Sequence, residues 1–497
     1  MTADRKQFYL TTAIPYVNAR PHIGHALEFI QADVIARFER SRGRETLLLS
    51  GSDEDALKNV QAADAAGRPV QEFVDANAEL FVGLALKLGV AFDAFQKGSD
   101  RERHFPSSQE LWRRCAAAGD IYRKAYRGLY CVGCEAFYEP EELTVEGECH
   151  EHPGRTLEVV EEENYFFRLS RYQEQIRDLI VSGRLAIIPE TRKNEVLVFL
   201  ERPLEDISIS RTNERARNWG VPVPGDDSQR IYVWFDALNI YQSGVGFGWD
   251  EARYKKWWPA DVHLIGKGII RFHAVYWPAF LLSAGLDVPK SIAVHGYLTV
   301  DGRKMSKSLG NVVDPFDLIT RYGAETLRYF LLREVPFGED GDFSEEKLRA
   351  VYNGELANGL GNLVARVSTL GARVSPLAFD AMRDAEPEVR AAVAEVSRRV
   401  TEDTERLKLH EALAAVWRAI AFTDRYLSKT KPWEIEDRSE LGRTIGNAAY
   451  LVTTVGALLE PFLPETAERI GEQVRYRGGA FEIKRGAVLF PRLAGGE

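Results

Sequence analysis

Apolar and polar residues alternate over the first 115 positions in a way that predicts strands and helices in turn. The apolar run QFYLTTAI at residues 7–14 predicts a buried strand, and 3.6-residue periodicity predicts a helix over about residues 24–40. A second run, ETLLLSGSD, predicts the next strand. Short strands that alternate with helices indicate a parallel sheet covered by helices.

This alternation stops in the middle of the chain and later resumes. Residues 116–230 contain three of the four cysteines, a glutamate-rich stretch and the turn-forming sequence VPVPGDD, so we interpret them as an insertion. The runs IYVWFDAL, VHLIGK and SIAVHGYLTV and the helical pattern of residues 272–283 restore the α/β pattern. The sequence therefore predicts a split nucleotide-binding fold.

The last third of the chain has a helical pattern. Periodicity of 3.6 residues predicts helices in four segments: 344–373, 386–409, 410–428 and 438–459. Strand signals nearly vanish after residue 341, so these helices should form an all-α bundle.

Composition and charge limit the functional class only partly. The chain is 45% hydrophobic and 28% charged, without an apolar run near the ~20 residues of a membrane span and without a signal peptide at its start. We therefore expect a soluble, cytoplasmic protein with no membrane partner. The net charge of −10 argues weakly against nucleic acid, but residues 139–163 alone hold ten glutamates and one arginine. Net charge thus leaves a nucleic-acid partner open.

The cysteines are too few and too clustered for a disulfide framework and instead indicate a metal. Cys131 and Cys134, followed by Cys149 and His152, have the paired x2 spacing of a closed tetrahedral zinc site. His150 is an alternative fourth ligand. Cys115 lies apart on a helical pattern, where a buried core thiol is expected.

The segment Pro21-His22-Ile23-Gly24-His25 lies where the first strand passes into the first helix. Imidazoles at i and i+3 share a helical face, at the helix end where backbone N–H groups and the dipole favour anions. His22 and His25 are thus candidates to stabilise an α-phosphate in a transition state. The alternative is that they only cap the helix.

A second candidate phosphate site follows about 280 residues later. Glycines flank Lys304-Met305-Ser306-Lys307-Ser308, so this segment predicts a loop whose two ammonium groups hold a triphosphate. Taken alone, such a loop is more often solvated surface. Together, His-Ile-Gly-His and Lys-Met-Ser-Lys-Ser resemble the signature pair of class I aminoacyl-tRNA synthetases. The likeness to the methionyl-tRNA synthetases covers essentially the whole chain.

The resemblance implies an ATP-dependent ligase that forms methionyl-adenylate from L-methionine and then charges tRNA(Met). It implies a Rossmann-like catalytic domain in two halves (residues 1–115 and 231–343), a zinc-binding connective insertion (116–230) and a helical anticodon-binding domain (344–497). One structural Zn²⁺ and Mg²⁺ with ATP are the implied cofactors. Because the insertion is short and no C-terminal extension follows, we expect no separate editing domain and a monomer.

The resemblance also assigns site residues. The residues implied in catalysis, where they would stabilise charge on the phosphates, are His22, His25, Lys304 and Lys307. The implied ATP contacts are His22, Gly24, His25, Glu28, Gly266, Lys304, Ser306, Lys307 and Ser308. The implied methionine site comprises Ala13, Ile14, Tyr16, Asp53, Trp234, Leu238, Tyr241, Ile269, Phe272 and His273. The implied anticodon readers are Asn362, Arg366, Pro432 and Trp433, and the zinc ligands are Cys131, Cys134, Cys149 and His152.

The assigned residue types suit these roles. A thioether is soft and forms few hydrogen bonds, so an aromatic cup is a suitable receptor, with each S···aromatic contact worth about 0.3–1.5 kcal/mol. Unstacked anticodon bases are read by stacking on an indole and by Asn or Arg hydrogen bonds. Individually, these aromatic residues are more often core and these polar residues more often solvated surface.

Three stretches depart from the common family pattern. Asp53-Glu54-Asp55-Ala56 replaces Asp-Glu-His-Gly, Gly266-Lys267-Gly268 replaces Gly-Lys-Asp, and Leu238-Asn239-Ile240 replaces Pro-x-Gly. These departures leave both signature segments intact and concern the shape of the pocket, ATP affinity and amino-acid selectivity.

Three alternative functions can be compared with the sequence, and only the second of them remains open. One is a small-molecule nucleotidyltransferase, which would lack the insertion and the helical domain. The second is a divergent paralogue that activates methionine or an analogue outside translation. The third is a catalytically silent tRNA-binding protein, which would lose the signature loops.

Overall fold

The computed structural model describes residues 6–133, 136–138, 142–144, 147–150, 157–305 and 310–493. The strands within them are β1 (Gln7–Thr11), β2 (Glu45–Ser52), β3 (Ala94–Lys97), β4 (Ile121–Cys131), β5 (Ala136–Tyr138), β6 (Glu158–Phe167), β7 (Ala186–Ile188), β8 (Ile207–Ser208), β9 (Ser210–Thr212), β10 (Pro222–Val223), β11 (Asp226–Ile231), β12 (Val262–Gly266), β13 (Ser291–His295), β14 (Leu298–Val300), β15 (Arg303–Lys304), β16 (Gly341–Phe343), β17 (Leu377–Ala378), β18 (Val474–Arg477) and β19 (Ala480–Ile483).

The α-helices of the same residues are α1 (Ile23–Ser41), α2 (Leu57–Ala65), α3 (Val70–Lys87), α4 (His104–Ala117), α5 (Gln173–Val181), α6 (Glu190–Phe199), α7 (Asn213–Ala216), α8 (Val233–Ser243), α9 (Glu251–Trp257), α10 (Trp277–Ser283), α11 (Pro315–Tyr322), α12 (Ala324–Glu334), α13 (Glu345–Val351), α14 (Asn362–Gly371), α15 (Pro387–Glu405), α16 (Leu409–Thr430), α17 (Arg438–Leu459) and α18 (Pro464–Gln473). Short 3₁₀ turns cover Leu169–Tyr172 and Lys267–Ile269, and π-helical segments cover Phe272–Tyr276 and Tyr352–Gly361.

The chain packs as two compact units, each assembled from separate stretches of sequence. The first is built from the described residues of Met1–Pro21, Gly43–Ala85 and Ala91–His295. The second is built from those of His22–Arg42, Leu86–Val90 and Gly296–Glu497. The domain limits drawn from the sequence remain predictions.

The first unit is organised around a six-stranded sheet in the order β3-β2-β1-β12-β13-β7, in which every pairing is parallel. The chain proceeds from β1 outward through β2 to β3, and later from β12 outward through β13. The strand order therefore reverses between β1 and β12, which is the position where open α/β sheets bind ligands. The predicted parallel α/β class is confirmed.

The sheet strands are apolar because both of their faces are covered. In β1 only Gln7 retains appreciable exposure, and Tyr9 and Leu10 are fully buried, as expected for a central parallel strand. The edge strand β7 comes from within residues 116–230, so that segment contributes to the main sheet as well as forming the four-stranded sheet β5-β4-β6-β8.

The second unit is mainly helical, which confirms the helical C-terminal region. Helix α1 packs on α12, and α15, α16 and α17 pack in sequence on one another. Two small sheets, β15-β14-β16 and β17-β19-β18, accompany the helices. Across the described part of the chain, no helix is both long and apolar enough to cross a bilayer.

One local prediction is wrong, and a second is confirmed with an added detail. The run SIAVHGYLTV does not form one strand, because it divides at Gly296 into β13 and β14, which belong to different sheets. A Cβ at Gly296 would lie 2.0 Å from the carbonyl oxygen of Glu339, so only glycine permits this approach. The helical run of residues 272–283 begins as a π-helical turn before α10.

Candidate functional site

Several residues of the first unit that the sequence assigned to methionine binding, together with the predicted ATP contact Gly266, lie at the carboxyl ends of the central strands. Ala13 and Ile14 follow β1 and pack against the core, and Gly266 is the last residue of β12. Asp53 directly follows β2 and pairs with Tyr16 through a parallel bridge, in which its N–H donates to the Pro15 carbonyl at 2.9 Å. These positions border the point where the strand order reverses.

Helix α8 supplies the aromatic wall of this site. Trp234, Leu238 and Tyr241 are spaced i, i+4 and i+7, so they share one face of the helix. The Trp234 ring stacks on Phe272 with centroids 3.7 Å apart and 5° between the planes. Tyr16 meets the same indole edge-on at 6.2 Å. The structure thus brings together the aromatic residues that the sequence assigned to a thioether.

Tyr241 and His273 form a buried polar pair beside those rings. His273 Nδ1 lies 2.9 Å from the Ile269 carbonyl, which can only accept, so Nδ1 carries the proton. Nε2 then accepts from the Tyr241 hydroxyl at 2.7 Å. Burial lowers the pKa of His273 to about 4, so the ring is neutral near pH 7. The aromatic cluster therefore includes a fixed hydroxyl and a neutral imidazole ring.

Three consecutive acidic residues after β2 have different surroundings. The Glu54 carboxylate accepts from the hydroxyls of Ser52 and Ser99, and burial raises its pKa. Asp55 is hydrogen-bonded to the Asp236 side chain, and burial raises its pKa. Asp53 is 2% exposed and lies against Tyr16, while its carbonyl accepts from Asn59 Nδ2 at 2.8 Å. Asp53 is therefore the acid whose backbone is fixed beside the aromatic wall.

In the second unit, His22 and His25 begin helix α1 as a reciprocal cap. The Gly24 N–H donates to His22 Nδ1 and the His22 N–H donates to His25 Nδ1, each at 3.1 Å. The two rings stack with centroids 3.9 Å apart. Because both Nδ1 atoms accept, each neutral ring carries its proton on Nε2. The capping interpretation is thus correct, and it fixes two N–H donors at a helix N-terminus, where anions bind.

The second signature segment approaches this helix end within the same unit. The Ile23 N–H donates to the Val313 carbonyl at 3.2 Å, and a Cβ at Gly24 would lie 4.0 Å from Met305 Cε. The same Cβ would lie 2.9 Å from His22 Cε1, so a side chain at Gly24 would disturb the cap. Glu28, one turn along α1 from Gly24, is buried.

A tight turn precedes the lysine loop. Asp301 and Gly302 both have positive φ, and the Gly302 N–H donates to Asp342 Oδ1 at 2.8 Å, which connects the β14-β15 hairpin to β16. The backbone of Lys304 belongs to β15, but its side chain is not among the atoms that the structure describes. Ser306, Lys307 and Ser308 lie outside the described residues.

The predicted anticodon residues share one surface of the second unit. Asn362 begins α14 and is exposed, and Arg366 follows one turn later. Arg366 Nη1 lies 2.9 Å from Asp424 Oδ1, and its guanidinium lies 5.6 Å from the centre of the Trp433 ring. Trp433 is 48% exposed, whereas Pro432 beside it is buried. The structure therefore brings an amide, an orientated guanidinium and an exposed indole together.

The candidate zinc site is described only in part. Cys131 and Cys149 are buried, and their sulfur atoms lie 3.4 Å apart, too far for a disulfide bond. Two thiolates on one tetrahedral zinc, each with a bond of about 2.3 Å, lie at a similar separation. Cys134 and His152 are outside the described residues, and the alternative ligand His150 is exposed.

Comparison with known proteins identifies the family. Residues 8–368 match the family model described as tRNA synthetases class I (M). The chain belongs to that family. It is 42% identical over 479 residues to the methionine–tRNA ligase of Brucella suis, a match that covers 94% of this chain and 91% of that protein. It is 41% identical to the Thermotoga maritima ligase over 95% of this chain and 75% of that protein.

Solved structures of the family agree with the fold. The Mycobacterium tuberculosis methionyl-tRNA synthetase in complex with methionyl-adenylate superposes with a TM-score of 0.92 at 39% identity, and the match covers 98% of this chain and 100% of the other. A structure of the free enzyme from the same organism gives a TM-score of 0.84 at 35% identity, covering 100% of both chains.

Sequence reasoning missed two contacts of polar side chains in the first unit. Lys58 places its ammonium 2.9 Å from the centre of the Tyr16 ring and donates to the Gly133 carbonyl at 3.2 Å. His104 Nε2 lies 2.9 Å from Asp236 Oδ1 in the interior. Neither contact has a local signal, because the partners are 42 or more residues apart.

Proposed function

We propose that the chain is a methionine–tRNA ligase. The observation that carries this proposal is the pocket wall formed by the Trp234–Phe272 stack and the Tyr241–His273 pair at the ligand-binding end of the sheet. Such a wall provides a polarizable aromatic surface for a thioether, and the Tyr241 hydroxyl, whose proton is donated to His273, offers an oxygen as an acceptor. The names of the relatives, all methionine–tRNA ligases, support the same activity.

The first reaction joins methionine to ATP, which enters with Mg²⁺. A carboxylate oxygen of methionine attacks the α-phosphorus, the bond to the bridging oxygen breaks, and pyrophosphate leaves. Asp53 holds the ammonium group of the amino acid. His22 and His25 donate through Nε2 to the phosphate as its charge increases, and Lys304 and Lys307 stabilise the leaving pyrophosphate. The remaining ATP contacts assigned from the sequence are Gly24, Glu28, Gly266, Ser306 and Ser308.

The second reaction transfers the methionyl group. A hydroxyl of the terminal ribose of tRNA(Met) attacks the acyl carbon, its proton leaves, and AMP is released. Little covalent work falls to the protein, because alignment of the reactants alone is worth up to about 7–11 kcal/mol in well-oriented systems. A methionine-activating paralogue outside translation would complete the first reaction but not the second.

Two measurements test this function: the amino-acid selectivity of ATP–pyrophosphate exchange, and the effect of a substitution in the lysine loop. We expect ATP–pyrophosphate exchange to depend on methionine, to be weaker with homocysteine and to be near background with leucine. Lys307→Ala should reduce exchange by roughly 10- to 150-fold, because a hydrogen bond to a charged group contributes about 1.5–3 kcal/mol. Charging of tRNA(Met) by the wild type then separates the ligase from the paralogue. Exchange that is unaffected by Lys307→Ala would contradict the assigned phosphate contact.

We propose that Cys131, Cys134, Cys149 and His152 hold one structural Zn²⁺. The buried Cys131 and Cys149 sulfurs, 3.4 Å apart, fit two corners of a closed tetrahedron, and the exposure of His150 favours His152 over it. A bound ion would stabilise this segment where a hydrophobic core is small, because Leu157 is the only other buried apolar member of this cluster among the described residues.

Removal of one thiolate should therefore remove the metal. We expect Cys149→Ser to reduce zinc, measured by mass spectrometry, from about one per chain to a small fraction and to make residues 129–160 susceptible to proteolysis. The matched control is Cys115→Ser, which removes a buried thiol in contact with the Phe280 carbonyl. This variant should retain its zinc. Full zinc content in Cys149→Ser would reject the ligand set.

We propose that Asn362, Arg366, Pro432 and Trp433 recognise the anticodon. The exposed indole provides a stacking surface, and Asp424 orients the guanidinium for hydrogen bonds to base edges. Trp433→Ala should raise KM for tRNA(Met) by roughly 5- to 150-fold, since stacking of a base is worth about 1–3 kcal/mol. Methionine-dependent pyrophosphate exchange without tRNA should not change. An equal loss in both assays would indicate a structural role for Trp433.

Two further properties remain proposals of the same kind. We place the enzyme in the cytoplasm, where its tRNA and ATP are found, and we expect a monomer. A dimeric mass in light scattering at assay concentrations would refute the latter.

A further inference from the structure

Lys58 lies beside the amino-acid site at a position that does not favour a positive charge. It is the second residue of helix α2, which has Ala56 at its N-cap. The helix dipole disfavours a cation in the first turn, so this lysine does not serve the stability of the helix. Its side chain is partly buried and contacts two partners from other parts of the first unit. The reaction steps proposed above do not use it.

The first partner of Lys58 is the ring of Tyr16. The ammonium group lies 2.9 Å from the ring centre, over the face where an aromatic ring carries its negative partial charge. Tyr16 in turn meets the Trp234 indole edge-on, with 88° between the two planes. Trp234 stacks on Phe272. One continuous line of ring contacts therefore runs from the lysine to the centre of the aromatic wall.

The second partner of Lys58 is the backbone carbonyl of Gly133. The ammonium group donates to this carbonyl at 3.2 Å. Gly133 is buried and lies in the turn that follows β4, so the hydrogen bond joins segments 75 residues apart. A lysine normally extends its charged group into water, and this bond to a buried acceptor holds it back. The carbonyl therefore keeps the charge over the Tyr16 ring.

Tyr16 connects two parts of the amino-acid site. Its backbone pairs with that of Asp53 in a parallel bridge, where the Asp53 N–H donates to the Pro15 carbonyl at 2.9 Å. Its ring contacts Trp234. Tyr16 is thus joined both to the acid assigned to the ammonium group of methionine and to the indole assigned to the thioether. A change in the position of this ring would therefore alter the site at both ends of the substrate.

We propose that Lys58 is a positioning residue, which holds the Tyr16 ring against Trp234 and thereby strengthens the binding of the amino acid. This inference rests on the proposed function and deepens it, because it concerns the affinity of the same site for methionine. A cation over an aromatic ring that is partly removed from water is worth roughly 5- to 30-fold in an equilibrium constant. Lys58 acts through Tyr16, so its effect should be on binding and not on the chemical step.

The test measures the dissociation constant of L-methionine by isothermal titration calorimetry on the full chain without ATP. Lys58→Met keeps the length of the side chain, Lys58→Gln keeps a hydrogen-bond donor, and both remove the charge. Each should weaken methionine binding by roughly 5- to 30-fold, while kcat of pyrophosphate exchange stays near the wild-type value. In a Tyr16→Leu background, Lys58→Met should change kcat/KM for methionine by less than about twofold, because no ring remains. The matched control is Lys255→Met, which removes an exposed ammonium paired with Glu251 and should bind methionine as the wild type does.

The outcomes separate the role of Lys58 from the proposed function. Absence of methionine binding by the wild type would reject the proposed function and the role of Lys58 with it. Binding that is unchanged in Lys58→Met or in Lys58→Gln would reject only the role of Lys58. A loss of kcat with unchanged KM, or an equal effect of Lys58→Met with and without the Tyr16 ring, would also overturn it. Zinc content should equal that of the wild type, and its loss in Lys58→Met would assign the effect to the cysteine cluster instead of Tyr16.

Discussion

Replacement of Asp53 by asparagine is expected to lower kcat/KM for methionine activation by roughly 30- to 4,000-fold. Removal of one partner from a buried charge pair costs about 2–5 kcal/mol, because the other charge is left in the protein without compensation. The side chain of asparagine has the same shape, so the loss reports on charge and not on packing. Methionine-dependent pyrophosphate exchange provides the measurement.

Asp53 is chosen over its two acidic neighbours on structural grounds. Glu54 is committed to the hydroxyls of Ser52 and Ser99, and Asp55 is directed at Asp236. Asp53 instead pairs with Tyr16, whose ring contacts Trp234 edge-on. It is therefore the acid that stands next to the aromatic wall.

A methionine analogue without the amino group separates ammonium binding from other effects. The inhibition constant of 4-(methylthio)butanoate should be similar for the wild type and Asp53→Asn, because that ligand has no ammonium to lose. Asp227→Asn, an exposed carboxylate, should retain wild-type exchange. A large change in the analogue's inhibition constant would show that Asp53 acts on the shape of the pocket rather than on the ammonium group.

The elements that the sequence predicted well are those whose pattern is local. Helix α1 was predicted over residues 24–40 and spans Ile23–Ser41, because its buried stripe is continuous and a histidine cap begins it. The predicted segment 438–459 is α17, Arg438–Leu459. The central strands are continuous apolar runs because helices cover both faces of a parallel sheet.

The elements that escaped prediction depend on distant contacts. The division between β13 and β14 arises where Gly296 meets Glu339, 43 residues away, and no feature of SIAVHGYLTV signals it. The hairpin of β18 and β19 forms in a region expected to be only helical, where β17 pairs with it from about 100 residues earlier. Local propensity does not report such pairings.

In the candidate site too, residues with a local pattern could be predicted and residues joined by distant contacts could not. Trp234, Leu238 and Tyr241 could be recognised because they recur on one helical face next to family motifs. His104 and Asp236 could not, because 132 residues separate them and neither lies in a motif with a known spacing. Their pairing is visible only once α4 and α8 are packed together.

Arg328 in the second unit carries the other large expected effect, on stability. Its guanidinium contacts Asp33 Oδ2 at 2.8 Å and donates to the carbonyls of Phe462, Leu88 and Pro461 at 2.8–3.2 Å. Both charged side chains are fully buried. Arg328→Met should therefore destabilise this unit by about 3–5 kcal/mol, because it leaves three buried carbonyls without this donor and removes one of the two arginines, Arg37 being the other, that pair with the buried Asp33 carboxylate.

Hydrogen exchange is the suitable measurement, because a chain with two units need not unfold in one step. Peptides from α1 and α12 should lose protection by roughly 150- to 4,000-fold in Arg328→Met. The control is Arg398→Met, whose exposed pairs with Glu395 and Glu402 are screened by solvent and should contribute little to stability. Addition of Asp33→Leu to Arg328→Met should recover part of the protection, because the second substitution removes the buried carboxylate that has lost Arg328. Equal protection in Arg328→Met and Arg398→Met would show that the buried pair contributes no more than a surface one.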